Sequence, residues 1–433
     1  MSLHIMVENY SEQDIIDALW KLYERDDVLY ARAGYYGTID ESPNDTYYVN
    51  SQQWAIDKIK LPDAWDLITG SNTVRVGVID SGIDVTHPDL AGRVNTTLSK
   101  SFLEGKSPLT DENYHGTFVA GIIGASTNNS LGIAGVCWNV ELVSIKIVEE
   151  DDNWSNSNLS KAIEYAEAND IDILNISLRG IYDGNVLDAI NNYSGLVVCS
   201  AGNGGGDISA YPYKQYPAAY DCNNLIVVGW SKEDDQRSID SNYNSDMVDL
   251  FAPGENILST YPISLCEATN CIEENLEKGY HSKSGTSYST PMVAGVAALM
   301  LAKNSSYTNI QIKNKILDSV DTISGLSGFC VTGGRLNAHK AVCVHNSSNI
   351  QYTPTTAGSH IMTCVVCNYT KEIQHMYMYT SLNSIQHRVY CACGYSADES
   401  HNKITDSNKG EIYCTKCSYR LELWNIKDEH ELQ

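Results

Sequence analysis

Short apolar runs, spaced by segments of helical period, set the tightest limit on how this chain can fold. The runs are Val74 to Ile79, Val140 to Val148, Ile171 to Ile176, Leu196 to Ser200, Leu225 to Val228 and Val248 to Phe251. A helical pattern over Leu159 to Ala168 falls between two of them, and a later one covers about Asn309 to Ser319. Strands that are apolar throughout belong to a sheet covered on both faces, and the crossovers between parallel strands supply the covering helices. The expected fold class is α/β: a three-layer α/β/α domain with a mostly parallel central sheet, spanning residues 51–345. Function in such sheets gathers at the carboxyl ends of the strands.

Two smaller units flank this domain. Residues 1–50 read as a small α+β unit with a linker. Leu3 to Val7 and Val28 to Ala33 suit strands, Ile15, Ile16, Ala18, Leu19 and Leu22 recur at helical spacing, and residues 38–50 are polar and turn-rich. Residues 346–433 comprise a polar linker over Ser347 to Gly358 and a Cys/His-rich module. That module contains an internal near-repeat: His360, Cys364, Cys367 and His375 are echoed by His387, Cys391, Cys393 and His401, and Cys414 with Cys417 begins a third, incomplete copy. Two cysteines and two histidines per unit suit tetrahedral zinc, whereas an oxidising compartment would favour disulfides. The spacing leaves both open. Of the 13 cysteines, Cys137 and Cys199 sit in apolar runs and read as small buried residues, while Cys266 and Cys271 flank a loop that a disulfide would close.

Charge narrows the partners. Acids outnumber bases 54 to 29, a formal net charge of −25. Nucleic acid and anionic membrane both require cationic surface, so neither is expected as a partner. The first residues lack the basic start and long apolar run of a signal peptide, and no apolar stretch is long enough to span a membrane.

Candidate chemistry lies at the element ends. Asp80 follows the first apolar run and precedes Ser81-Gly82, where a turn aspartate would also be ordinary. His115 stands just before an apolar helical segment. Asn203, between Gly202 and Gly204, follows the run ending at Ser200 and offers amide donors where a ligand can approach the backbone. Ser287 opens the most apolar segment of the chain, Met292 to Leu301, in or just before its first turn. Taken alone it would be a helix cap, with Pro291 tolerated in a first turn whose amides have no helical partner. The Gly202 to Gly206 stretch is not a nucleotide-phosphate loop, since it lacks both the Gly-x-Gly-x-x-Gly spacing and a P-loop lysine.

Together, in the order Asp80, His115, Asn203, Ser287, these segments resemble the subtilisin-like serine peptidases. Ile79 to Asp84 with His87 to Leu90 is similar to that family's aspartate motif, His115 to Gly121 to its histidine motif, and Gly285 to Pro291 to its serine motif. The resemblance covers roughly residues 52–343. It implies a serine endopeptidase acting on proteins or peptides, with an Asp80/His115/Ser287 triad, an acyl-enzyme intermediate, an Asn203 oxyanion hole and no catalytic cofactor. A rival from another class is an inactive protease fold kept as a binding or scaffold protein.

The resemblance further implies a substrate-pairing edge at Ser177, Leu178, Arg179 and Gly180. The family usually carries glycine where Arg179 stands, so Arg179 either biases the pocket towards acidic or polar side chains or points to solvent. A structural calcium site is implied at Asp89 and Asn129, with Gln52 or Gln53 and several carbonyls. The N-terminal unit resembles the second half of a subtilase propeptide, with processing expected between about Thr38 and Gln53. Family members are expected outside the cell.

Overall fold

Strand β1 (Gly70–Asp80) is paired along both edges and sorts its side chains by parity. Val74, Val76 and Val78 face one layer of core, and Ile79 faces the other. The same alternation repeats in β3 (Asn139–Lys146), β4 (Ile173–Ile176), β5 (Leu196–Ser200), β6 (Leu225–Ser231) and β7 (Leu250–Pro253). Leu142, Ile173, Val198, Val228 and Leu250 join the first layer, and Val143, Leu174, Val197, Val227 and Phe251 the second. Every residue of β4 to β7 is buried, which explains why these strands read as unbroken apolar runs.

The computed structural model describes residues 42–269, 276–344, 350–354, 359–374, 378–381, 386–390, 396–400, 403–406, 411–414 and 420–422. The strand-helix-strand unit expected within residues 1–37 therefore lies outside the described residues. With the short strands β2 (Lys100–Ser101), β10 (Asp321–Thr322) and β11 (Gly334–Arg335), the sheet has nine strands in the order β10-β11-β7-β6-β5-β4-β1-β3-β2. All its pairings are parallel except β10 with β11. From β1 the chain first builds outward through β2 and β3, then crosses to β4 on the other side. Asp80, the last residue of β1, thus stands at the point where strand order reverses.

Helices α1 (His115–Gly124) and α4 (Thr286–Lys303) cover one face, and α2 (Asn156–Ala168) and α3 (Gly184–Asn192) the other. Ser155 caps α2, accepting Asn158 N–H at 3.2 Å, and Asp183 caps α3. Helix α4 packs across β1 and β4 to β7. It buries 15 of its 18 residues, so it has no polar side to turn outward. Two further helices, α5 (Asn309–Asp318) and α6 (Ala338–Val342), close the domain.

Helix α4 revises the reading of Pro291. The helix begins at Thr286, which makes Pro291 its sixth residue, beyond the first turn. Proline has no N–H to give the carbonyl four residues back, so Ser287 O is released from the helical ladder. Ser177 Oγ donates to it instead, at 3.1 Å.

The segment expected as linker before residue 50 is partly built in. Thr46–Val49 is a helical turn, with Tyr47 buried and Asp45 fully buried beside it. The second expected linker, Ser347 to Gly358, contains strand β12 (Ile350–Pro354). It pairs antiparallel with β13 (Ser359–Cys364), which pairs with β14 (Thr370–Gln374). Two more three-stranded antiparallel sheets follow, at residues 378–400 and 403–422. The sequence repeat is thus a repeated three-stranded unit.

Leu299, fully buried in α4, measures this packing. Leu299→Ala is expected to lower stability by about 2–5 kcal/mol, read from the urea unfolding midpoint.

Candidate active site

The end of β1 and the start of α1 are brought together by a glycine. A Cβ at Gly116 would lie 2.1 Å from Gly82 O and 3.2 Å from the Asp80 Cβ, so only glycine admits this approach. It places His115 Nδ1 2.9 Å from Asp80 Oδ1 and 2.8 Å from Oδ2. The Asp80 carboxyl is fully buried, and Ser81 N–H also donates to Oδ1 at 2.8 Å.

Tyr114, just before α1, holds φ at +94°, a conformation that costs a non-glycine residue about 1–3 kcal/mol. Asp111 offsets that cost. It is buried, and its Oδ1 accepts from Asn113 N–H and Tyr114 N–H, each at 3.0 Å, and from Ser81 Oγ at 2.9 Å. Its Oδ2 accepts Thr117 N–H at 2.9 Å and Thr117 Oγ1 at 2.7 Å. Ser81 Oγ in turn accepts Gly116 N–H at 2.9 Å. Asp111 and Ser81 therefore fasten the imidazole's helix to the strand that carries Asp80. Sequence reading assigned neither residue this role; the only available signal was their closeness to the Asp80 and His115 motifs.

Burial alone would lower the His115 pKa. The charge and hydrogen bond of Asp80, with the charges of Asp111 and Asp152, outweigh it and hold the imidazole above its ordinary value.

Ser287 is the second residue of α4, so its N–H is one of the unpaired donors of a helix start. The hydroxyl Oγ donates to Ser177 O at 3.4 Å, and the ring of the next residue, Tyr288, lies 5.9 Å from the His115 ring. Asn203 Oδ1 accepts both Thr286 N–H and Thr286 Oγ1, each at 2.9 Å. With its oxygen committed, Asn203 has its amide Nδ2 left to donate. Ser177, Leu178, Arg179, Ser200, Gly202, Asn203, Thr286 and Ser287 line one cavity of about 340 Å³.

At the expected substrate edge, one residue is paired within the chain. Gly180 already forms a bridge with Tyr216, giving its N–H at 2.8 Å and receiving Tyr216 N–H at 3.1 Å. Arg179 lines the cavity while remaining exposed.

The residues expected to hold calcium partly assemble. Asp89 is fully buried; its Oδ1 accepts Asn129 Nδ2 at 2.9 Å, and its Oδ2 accepts Ile133 N–H at 3.0 Å and Tyr280 OH at 2.9 Å. A Cβ at Gly132 would strike Asp89 Oδ2 and Tyr280 OH at 2.1 Å, so this loop needs glycine there. Gln53 is committed elsewhere, exchanging both ends of its amide with Ala134 N–H and C=O at 2.8 and 2.9 Å. The residue missed is Asp45, buried in the segment read as linker and accepting Asn128 N–H at 2.8 Å. Burial, together with the Asp89 charge, raises the Asp45 pKa against its hydrogen bonds. Among the described residues no lysine or arginine pairs with either carboxyl. Two buried acids without a cation fit a hard divalent ion.

In the Cys/His-rich module, His360 and Cys364 stand four residues apart on the single strand β13, about 13 Å at the usual rise. The side chain of His360 is not described. His387 and Cys414 fall in strands whose side chains are not described, and His375, Cys391, Cys393, His401 and Cys417 lie outside the described residues.

Comparison with known proteins agrees with this geometry. The subtilase family model matches residues 71–349. This chain belongs to the subtilase family. Thermitase of Thermoactinomyces vulgaris is 36% identical over 305 residues, covering 70% of this subtilase and 99% of thermitase. Subtilisin Savinase of Lederbergia lenta is 36% identical over 297 residues, covering 67% of this chain and 98% of its own. A solved protease structure from Pseudoalteromonas arctica PAMC 21717 superposes with a TM-score of 0.58 at 26% identity, covering 70% of this chain and 99% of its own. The protein is accordingly a subtilisin-like serine peptidase, a hydrolase. Among the described residues, no helix is long and apolar enough to cross a membrane.

The raised His115 pKa gives a signed expectation. A base works only when neutral, so kcat/KM should fall as pH drops through a midpoint above about 6.5, the ordinary imidazole value. Asp111→Asn removes one of the raising charges and should move that midpoint to lower pH. A pH profile of both proteins checks it; an unmoved midpoint would separate Asp111 from the imidazole.

Proposed function

We propose that this subtilase is an endopeptidase that cleaves internal peptide bonds by acyl transfer through Asp80, His115 and Ser287, with Asn203 as oxyanion donor. The observation that carries the reading is the clamp on His115 Nδ1 by both oxygens of the buried Asp80. A ring held there at Nδ1 presents Nε2 as the proton acceptor.

The chemistry follows from these positions. The 3.4 Å bond from Ser287 Oγ to Ser177 O is long, and the hydroxyl exchanges it for His115 Nε2 at little cost. Ser287 Oγ attacks the substrate carbonyl carbon as Nε2 takes its proton. The oxygen that gains charge is met by Asn203 Nδ2 and by the Ser287 N–H at the start of α4. His115 then passes the proton to the leaving amine, and the C–N bond breaks to leave an acyl-enzyme. Water, deprotonated by the same ring, releases the acid. Asp80 stays charged throughout and stabilises the imidazolium.

The extended substrate pairs with the backbone of Ser177 to Arg179, and the side chain before the scissile bond enters the 340 Å³ cavity. Solvent screens the exposed Arg179, so its charge has a small effect on selectivity. Calcium at Asp45, Asp89 and Asn129 supplies rigidity and takes no part in the reaction. Proteins and peptides are the substrates, met outside the cell.

An organophosphonate probe should label the wild type covalently and leave Ser287→Ala unlabelled; labelling of both would overturn the assignment. Asn203→Ala should lower kcat about 10²–10³-fold with little change in KM, a magnitude that comes from the corresponding asparagine of subtilisin itself. Chelator should lower the melting temperature of the wild type and have no effect on Asp45→Asn, followed by calorimetry. Equal sensitivity in both would remove Asp45 from the site.

A further inference from the structure

Cys343 ends α6, the last helix of the peptidase domain. Cys364 ends β13, and Cys367 lies in the turn that follows. Cys343 is 21 residues or more from the other two in sequence, yet the three sulfurs lie within 4.8 Å of one another. All three are buried, at 2%, 0% and 6% exposure.

The spacing of the sulfurs is informative. Cys343 Sγ and Cys364 Sγ are 3.7 Å apart. A disulfide would need about 2 Å. Thiolates around tetrahedral zinc, at a zinc–sulfur distance of about 2.3 Å, are separated by about 3.8 Å along each edge. The turn also has the form that such sites use. Its Cys-Val-Val-Cys spacing is closed by Asn368 N–H to Cys364 O at 2.9 Å and Cys364 N–H to Tyr369 O at 2.8 Å, with Asn368 at φ +55°.

The surroundings match a site that carries negative charge. Lys315 of α5 donates from Nζ to Cys343 O at 2.8 Å. Three thiolates around a divalent cation leave a net charge of about −1, which Lys315 offsets. Leu67, Met362 and Tyr369 pack around the cluster, and Lys371 of β14 pairs with Asp318 of α5 at 2.6 Å.

We propose that Cys343, Cys364 and Cys367 bind one soft tetrahedral divalent cation of the zinc class, which fastens the first C-terminal hairpin to the last helix of the peptidase domain. Thiolate ligands select such an ion over calcium or magnesium. Three protein ligands leave one position of the tetrahedron for water or another donor. Each thiol loses its proton on binding, so three protons are released per ion. The ion is structural, buried and separate from the peptidase chemistry.

The test uses the full chain carrying Ser287→Ala, which removes self-digestion. Zinc content is measured after dialysis, and cobalt(II) replaces zinc for absorption spectroscopy. Cys343→Ser should bind about one equivalent less zinc than its parent and lose near-ultraviolet sulfur-to-cobalt absorption. Cys330→Ser, at a buried cysteine outside the cluster, should match the parent. Tryptic cleavage after Lys371 should quicken with 1,10-phenanthroline in the parent and be equally fast with or without it in Cys343→Ser. Unchanged zinc in Cys343→Ser would overturn the proposal. So would an intact mass, under non-reducing conditions, showing a disulfide among the three cysteines. A loss of zinc from Cys364→Ser but not from Cys343→Ser would place the ion within the tail alone and likewise sink the idea.

Discussion

A carboxylate taken out of water costs several kcal/mol unless hydrogen bonds and an opposite charge replace its hydration. Asp80 is such a group, and much of the architecture meets its demand. The parallel sheet delivers it to the point where strand order reverses. A glycine lets α1 come close enough for His115 to reach both its oxygens. Asp111 and Ser81 then lock that helix start to the strand end. The imidazole, the brace and the sheet therefore form one unit whose parts have little meaning apart.

The fold was legible because its dominant signal is local. Strands buried on both faces must be apolar at every position, and Leu196 to Ser200 has the same bounds in the sequence reading and in the structure. The positions of Asp80, His115 and Ser287 at element ends were also legible, and the structure pairs the first two. What escaped the reading depends on partners remote in sequence. Asp45 is drawn into the Asp89 loop by Asn128, 83 residues away. Gly180 is paired with Tyr216. Pro291 was taken as a first-turn residue because the helix start was placed too late, and its consequence appears only with Ser177, 110 residues from Ser287.

The C-terminal module shows the same division. Its repeat was visible as spacing, and the repeated unit is a three-stranded sheet with its cysteines at or after the end of the middle strand. Its histidines and cysteines were grouped by spacing along the chain, and such spacing does not report distance between elements. Cys343, to which the sequence reading gave no role, gains its meaning from packing.

The carbonyl released by Pro291 has a mechanical consequence. Ser177 Oγ donates to Ser287 O, a bond that stays when the Ser287 hydroxyl turns to His115, so the backbone proposed to receive a peptide and the residue proposed to attack it are tied together. A peptide aligned on the proposed edge would take its distance to the hydroxyl from that tie. A missing hydrogen in one helix thus acts as an alignment device across the cleft.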